Sequence, residues 1–403
     1  MTRSTILPTL SRRQLIGAVV AYAALPVRAQ SAGDWAATTS RARGQTVYFN
    51  AWAGSERINA YLQWAAEQVL REYGVRLEHV KITETAEVVK RVRAEKAAGK
   101  VDGTVDLVWI NGENFLTMKR EGLLFGPFAE KMPSFAYVDL IGKPSIRIDF
   151  SEPVEGMESP WGMAQLTFFA DRKRVPTAPR NMVELLTFAK ANPGRISYPR
   201  PPNFHGTTFI KQALLEALND RSALYAPVTA QRLASAAAPL WSYLDALHPQ
   251  LWRAGRQFPA NAAALRQMMA DGELLIALTF NPNEAANEIA AKRLPESVYS
   301  YQHSGGTIGN THFLAIPFNS KVREGAQVVA NFLLSPLAQA RKADIAQWGD
   351  PTVLALNKLP PADRARFVAS ALPGQVEQAM PTLLEPHGSW VDPLEKEWLR
   401  RYG

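Results

Sequence analysis

Thr46-Val47-Tyr48-Phe49-Asn50-Ala51-Trp52-Ala53-Gly54-Ser55-Glu56 opens the readable pattern of this chain. β-Branched and aromatic residues dominate 46–52, and Ala53-Gly54-Ser55 then breaks the run, so it reads as a strand ending in a turn. Beyond the turn, Ile58, Tyr61, Leu62, Ala65 and Val69 recur at i, i+3, i+4, i+7 and i+11, which predicts a helix over 56–72 with one apolar face. Residues 75–82 return to strand character. Thr85 is placed to cap a second helix that carries Val88, Val89 and Val92 and ends at Gly99. A short apolar strand follows at 105–110, then a helix at 113–121 that Gly122 terminates. Strand and helix in repeated alternation predict an α/β fold with mostly parallel sheets and helices on their faces.

Residues 126–160 interrupt this rhythm, being irregular and rich in Pro, Gly and acids, with a possible strand at 145–150. It restarts with a strand at 164–169, a helix at 182–190, the turn Asn192-Pro193-Gly194, a strand at 195–198 and a helix at 208–218. Helical patterns occupy 229–247 and 261–271, and β-rich runs occupy 273–280 and, after the glycine-rich 304–310, 311–317. Two α/β blocks joined by irregular crossovers predict a two-lobed chain that enters its second lobe and comes back. The expected division is lobe one at 45–158, lobe two at 159–303 and a return to lobe one at 304–350. Residues 351–403 are helical in pattern and expected to brace the lobes, while 30–44, small and polar without period, read as a linker.

The first 29 residues read as an export signal. A basic start is followed by the apolar stretch 15–26 and by Val27-Arg28-Ala29 as a small-residue cleavage site. Ser11-Arg12-Arg13-Gln14-Leu15-Ile16 has the character of a twin-arginine signal, and an ordinary Sec leader would reach the same periplasmic destination. Removing the four arginines of this leader lowers the formal charge from +8 to +4. A mild, dispersed charge gives no support to nucleic-acid binding, and after the leader no apolar run is long enough to span a bilayer. Cysteine is absent, which excludes disulfides, zinc–thiolate sites, a thiol nucleophile and an acylated N-terminal cysteine.

A catalytic reading finds little to hold. There is no Gly-x-Ser-x-Gly elbow, no His-Glu-x-x-His helix and no Gly-x-x-x-x-Gly-Lys loop. The six histidines have no pair at metal-ligand spacing, so neither a metal nor a cofactor is expected. His205 is kept as a candidate because it lies in a loop that opens a helix.

Binding has a positive signal. Four loops stand between a strand and a helix, where open α/β sheets hold their ligands. They are Asn50-Ala51-Trp52-Ala53-Gly54-Ser55, Trp109-Ile110-Asn111-Gly112-Glu113-Asn114, Pro201-Pro202-Asn203-Phe204-His205-Gly206-Thr207-Thr208 and Thr279-Phe280-Asn281-Pro282-Asn283-Glu284. Every βα unit needs a cap, and Ser, Asn and Thr serve as caps whatever the function. Four such loops that also carry Trp52, Trp109 and Phe204 favour a shared ligand cleft. Trp161 and Gln165 at the first crossover, and Gly305 and Thr307 at the second, are further candidates, though a packed hinge and a plain turn explain them as well.

Several of these runs, quoted in order, carry a family likeness. Val47-Tyr48-Phe49-Asn50-Ala51-Trp52-Ala53-Gly54-Ser55, Val105-Asp106-Leu107-Val108-Trp109-Ile110-Asn111-Gly112-Glu113-Asn114-Phe115, Pro160-Trp161-Gly162-Met163-Ala164-Gln165, Gly305-Gly306-Thr307-Ile308-Gly309-Asn310-Thr311-His312-Phe313 and Trp348-Gly349-Asp350-Pro351-Thr352-Val353-Leu354 together resemble the YnjB-type extracellular solute-binding proteins of bacterial ABC importers. The resemblance implies a two-lobed type II periplasmic binding fold, a monomer that closes on a small polar solute and delivers it to permease subunits in the inner membrane. Relatives of this fold bind thiamine, polyamines, iron or sugars. Tyr299, Tyr301 and His303 would suit iron, but their strict alternation suits a strand better. Should one of Glu56, Glu113 or Glu284 face the cleft, a cationic solute is favoured. An exported α/β enzyme acting on a small molecule in the same cleft is the second reading.

Overall fold

The computed structural model describes residues 32–367 and 372–403, and the leader expected at 1–29 lies outside the described residues. Lobe one begins with α1 (Ala32–Ala42), β1 (Thr46–Trp52), α2 (Glu56–Tyr73), β2 (Arg76–Ile82), α3 (Thr85–Ala97), β3 (Leu107–Ile110) and α4 (Gly112–Arg120). Short strands β4 (Leu124–Phe125), β5 (Ile148–Asp149) and β6 (Glu152–Pro153) follow, before β7 (Glu158–Gln165) leaves for lobe two. There the chain forms β8 (Thr167–Asp171), α5 (Met182–Ala191), α6 (Phe204–Ala217), α7 (Ala230–Leu247), α8 (Ala262–Ala270), β9 (Ile276–Thr279), α9 (Glu284–Ala290) and β10 (Val298–Tyr301). The long strand β11 (Thr307–Pro317) returns, followed by α10 (Arg323–Leu334), α11 (Pro336–Ala343), α12 (Pro361–Arg364), β12 (Thr382–Leu383) and α13 (Val391–Tyr402).

The apolar stripe read from the sequence explains why α2 docks where it does. Ile58, Tyr61, Leu62, Ala65 and Val69 are all buried, each large side chain contributing roughly 1.5–3 kcal/mol through removal from water. Gly74 ends the helix in the left-handed conformation, at φ 65°, that a glycine adopts without steric cost. The alternation on β1 buries Val47, Phe49 and Ala51 against this helix, in one core with α10.

Strand direction is mixed. In lobe one β2, β1 and β3 are parallel, as the βαβ pattern requires, whereas β11 runs antiparallel to β3 and β7. Lobe two has the order β10-β8-β9 with both neighbours antiparallel to β8. The mostly parallel expectation thus holds for β1–β3 and for the short β11/β12 pair, and not for the rest. Single crossover helices link β1, β2 and β3; β11 instead re-enters the sheet after an excursion through the other lobe.

The pair β7/β11 is the structural link between lobes. Its ladder runs from Gly309↔Gln165 to Ala315↔Glu158, with a register shift at His312/Phe313. Ala164 and Ile308 at one end belong to the core of lobe two. Trp161, Leu314 and Ile316 toward the other belong to the core of lobe one.

Several local readings are corrected. Residues 30–44 are not a linker, because Ala32–Ala42 is a helix whose Trp35 and Ala42 pack into the lobe-one core and whose Thr38 is buried. No strand forms at 195–198; that segment is held instead by a bond from Leu275 N to Arg195 O and one from Trp252 N to Ile196 O. Around 145–150 a 3-10 turn at Pro144–Ile146 precedes the two residues of β5. Of the helical pattern expected over 351–403, the described residues form the four-residue α-helix Pro361–Arg364 and the longer Val391–Tyr402. The C-terminal helix α13 belongs to lobe two: Trp390, Leu394 and Trp398 lie in its core, and Trp398 Nε1 donates to the Tyr198 hydroxyl at 2.8 Å.

Candidate functional site

The loops singled out from the sequence face one another in pairs across the seam between the lobes. From lobe one, Arg57 at the start of α2 donates through Nη2 to Asn287 O on α9 at 3.1 Å and through Nη1 to Ala346 O at 2.7 Å. Returning from lobe two, Asn283 Nδ2 donates to Gly349 O at 2.6 Å and Asn287 Nδ2 to Trp348 O at 2.7 Å. Side-chain amides and a guanidinium meeting backbone carbonyls hold the seam shut in one register.

The second pair of loops brings charge together. Gly112 opens α4 at φ 64°, and its N–H donates to Asp149 Oδ2 at 2.6 Å. A side chain there would strike the Phe150 ring, so glycine is needed both for the backbone angle and for this close approach. Opposite stands α6, whose Asn203 cap accepts from His205 N at 3.1 Å. One turn further, Thr207 Oγ1 donates to Glu395 Oε1 at 2.5 Å. Lys211 on the same helix puts its Nζ 2.6 Å from Glu385 Oε2 and 4.2 Å from the Phe150 ring centroid. Asn310 Nδ2 also donates to Glu385, at 3.3 Å.

Lys211 pairs directly with Glu385, and three further carboxyls feel its charge. Burial raises the Asp149, Glu113, Glu385 and Glu395 carboxyls, and the Lys211 charge lowers each in turn. Glu395 is pushed up to about 6. Glu113 keeps solvent access while protein stands round it closely enough to desolvate it, the environment of a group lining a narrow seam. Asp149 Oδ1 and Asn310 Oδ1 are buried without a hydrogen-bond partner, a costly state that polar groups avoid unless something else satisfies them. Among the described residues no group of three or more His, Asp and Glu is arranged to hold a metal ion.

Several of the remaining candidates are engaged in the structure, and others keep partial solvent access. Trp161 was expected to wall the cleft, but it is fully buried in the lobe-one core. Its ring packs edge-on to Trp109 at 4.8 Å and to Phe49 at 5.8 Å. Trp109 is half-buried and closes this cluster toward His312 and Trp348. Trp52 is exposed and folds over Gly54, and Asn50 is buried in β1, donating to Tyr48 O at 3.4 Å. Gln165 Nε2 reaches Thr307 Oγ1 at 3.1 Å and Pro381 O at 3.2 Å, which ties the two hinge strands to the C-terminal segment. Glu284 pairs with Arg266 and Thr279 within lobe two, and Asn281 accepts from Asn283 N. Gly206 packs on Pro199 O, and Phe204 meets Phe280 edge-on at 5.0 Å. His205 is half-buried, and burial lowers its imidazole to about 4, so it is neutral at pH 7. Ser55, Asn111 and Asn114 are half-buried, Thr208 is buried without a partner, and Gly305 is exposed with nothing near it. Tyr299 donates to Val175 O and His303 pairs with Glu216 within lobe two, while the Tyr301 hydroxyl is buried without a hydrogen-bond partner.

Asp149, Lys211, Glu385 and Glu395 were missed, whereas Asn310 ends the glycine-rich stretch 304–310 that the sequence offers as a candidate. Asp149 and Glu385 lie in irregular stretches and Lys211 and Glu395 inside helices, where a charge ordinarily means a solvated face. A second missed feature is the buried triad Lys342–Asp350–His312, with His312 Nε2 2.8 Å from Asp350 Oδ1. Burial pushes the Asp350 carboxyl up, but Lys342 and His312 outweigh it and hold it below its ordinary value. The triad packs against Gly162 on the hinge strand.

Comparison with known proteins places this architecture. Residues 64–359 match the model of the bacterial extracellular solute-binding protein family. Protein YnjB of Escherichia coli (strain K12) is 48% identical over 376 residues, 93% of this chain and 95% of that one. Among solved structures, AfuA of Actinobacillus pleuropneumoniae with fructose 6-phosphate bound superposes with TM-score 0.62 at 13% identity, over 89% of this chain and 98% of its own. The spermidine/putrescine ABC transporter substrate-binding protein PotD of Streptococcus pneumoniae gives 0.59 at 14%, with the same coverage. At such identities these two share the fold with this chain, and one carries an anion where the other is named for cations.

Proposed function

We propose that this chain, which belongs to the family of bacterial extracellular solute-binding proteins, captures a small polar solute bearing positive charge at the seam between its lobes and delivers it to ABC permease subunits. The fold is the two-lobed type II periplasmic binding fold, and the chain is a substrate-binding protein of the ABC-transporter class. One observation carries the solute class: among the described residues Lys211 Nζ is paired with Glu385 alone, while Glu113, Asp149 and Glu395 also feel its charge, so carboxyls outnumber the ammonium here. Such a site attracts a cation and repels a phosphate. Among the described residues no helix is long and apolar enough to cross a membrane. The leader at 1–29, of twin-arginine character, would carry the chain to the periplasm.

Capture works by closure. A solute that touches both lobes favours the closed form by the difference in its affinity for the two forms, and the β7/β11 ribbon is the element that bends. Trp109, Asn111, Asn114, Phe204 and His205 keep partial solvent access along the seam and supply its aromatic and amide contacts.

The test is a thermal-shift screen of the purified protein against spermidine, putrescine, thiamine, a neutral sugar and fructose 6-phosphate. A ligand present at 100 times its Kd stabilises by about 2.7 kcal/mol. A cation should raise the melting temperature and the sugar phosphate should not; stabilisation by the phosphate alone overturns the reading.

A further inference from the structure

The family match ends at residue 359, yet part of the charged seam comes from beyond it. Residues 380–390 form a strap that touches both lobes and the hinge. β12 pairs with Thr307 and Ile308 of β11. Toward lobe one, Ser151 Oγ donates to Glu385 O at 3.1 Å and Gly388 N to Phe150 O at 3.0 Å. Toward lobe two, His387 N donates to Leu224 O at 2.8 Å and Trp390 Nε1 to Ala226 O at 3.0 Å. So Glu385 is held in place from three sides, and it is 3% exposed.

We infer that this strap sets the charge preference of the solute site, with Glu385 as a positioning residue that ties down the Lys211 ammonium and so leaves Glu113, Asp149 and Glu395, whose hydrogen-bond donors are all neutral, to meet a solute's cationic group. The inference rests on the seam being the solute site. Lys211 is 1% exposed and anchored between the Glu385 carboxylate and the Phe150 ring, the combination of opposite charge and aromatic face that best holds an ammonium. If Glu385 were neutral, that ammonium would turn to the remaining carboxylates, whose electrostatic environment it already shares. The seam would then repel a second ammonium. Asn310 marks where the solute's own polar atoms arrive: its Nδ2 is bonded to Glu385, while its Oδ1 is buried, unpartnered and able only to accept. An ammonium or other N–H donor satisfies that atom, and a phosphate does not.

The experiment measures spermidine, thiamine and fructose 6-phosphate binding to the full chain by calorimetry, for wild type, Glu385→Gln, and Glu385→Gln combined with Lys211→Met. The single variant should bind the cations at least tenfold more weakly. The double variant should return to within about threefold of wild type, because the ammonium that Glu385 restrained is gone. It also folds if the single variant does not, since removing both members of a buried ion pair avoids an uncompensated charge. Near-UV circular dichroism and melting temperature report folding for each. Wild-type binding of a cation that Glu385→Gln leaves within twofold overturns this inference alone, as does a double variant no better than a folded single one. A wild-type chain that binds the sugar phosphate and no cation refutes the solute class itself, and the inference with it.

Discussion

Gly162→Ala tests whether the hinge strand depends on the buried triad beneath it. A Cβ at Gly162 would stand 2.6 Å from His312 Cδ2 and 2.8 Å from Lys342 Nζ, and closer still to Asp350 Oδ2. None of these atoms is the loose end of a surface side chain. Lys342 and Asp350 are buried, and Lys342 Nζ also reaches Pro351 O at 3.2 Å. Overpacking a rigid site costs about 1–3 kcal/mol, and separating a buried ion pair costs about 3–5 kcal/mol, so a loss of at least 3 kcal/mol is expected. Urea unfolding at pH 7 would read it as a fall in midpoint with an unchanged slope. The decisive comparison is a double-mutant cycle with Asp350→Ala, which removes the nearest obstructing atoms. In that background the contacts to His312 and Lys342 remain but no ion pair is left to separate, so Gly162→Ala should cost about 1 kcal/mol, giving a coupling of about 2 kcal/mol or more. Equal costs in both backgrounds, or no cost in the wild type, would refute the packing argument.

Four further outcomes follow from the geometry. Arg57→Ala removes the guanidinium contact to Asn287 O, worth roughly 1.5 kcal/mol for a hydrogen bond to a charged group; solute binding should weaken about tenfold while urea stability stays nearly level, and a pure stability loss would contradict the assignment to closure. Burial raises Glu395 from 4.5 to about 6, so the folded state holds this proton more tightly than the unfolded chain, and the stability it lends is full below pH 4.5 and lost as pH rises through about 6. A bound cation favours the ionised form, hence binding near pH 6 should release protons; calorimetric heats that do not vary with buffer ionisation enthalpy would sink this. His205 behaves oppositely: its imidazole is lowered to about 4 by burial, so its contribution is present above pH 6.5 and fades as pH falls through 4, a loss that His205→Asn should abolish in an acid-denaturation series. Trp398→Phe deletes the Nε1–H bond to Tyr198 and should cost about 1–3 kcal/mol in urea, with the loss falling on lobe two.

The seam was half legible before any coordinates. Gly112, Asn203 and Asn283 sit at helix starts, and local chemistry is enough to find such places, since a cap or a left-handed glycine answers to its immediate neighbours. Trp161 shows the limit of that reasoning. A tryptophan beside a crossover suits a ligand wall and a packed hinge equally, and which way the ring turns depends on Phe49, Trp109 and Trp348, far away in the chain. Residues 32–42 show it too, because a polar, aperiodic stretch becomes helix once Trp35 and Ala42 have α10 to lean on.

The chain's own order of residues determined the α/β character, the helices of lobe one and the loops that end its strands, because hydrophobic period and capping act over a few residues. Only tertiary structure decided that β11 would run antiparallel, that α13 would join lobe two, and that Asp149, Lys211 and Glu385, from three distant stretches, would share one dry pocket of charge. Periodicity carries no record of contacts between residues more than a hundred positions apart, and desolvation, which gives those charges their chemistry, comes into being only when the lobes and the strap close round them.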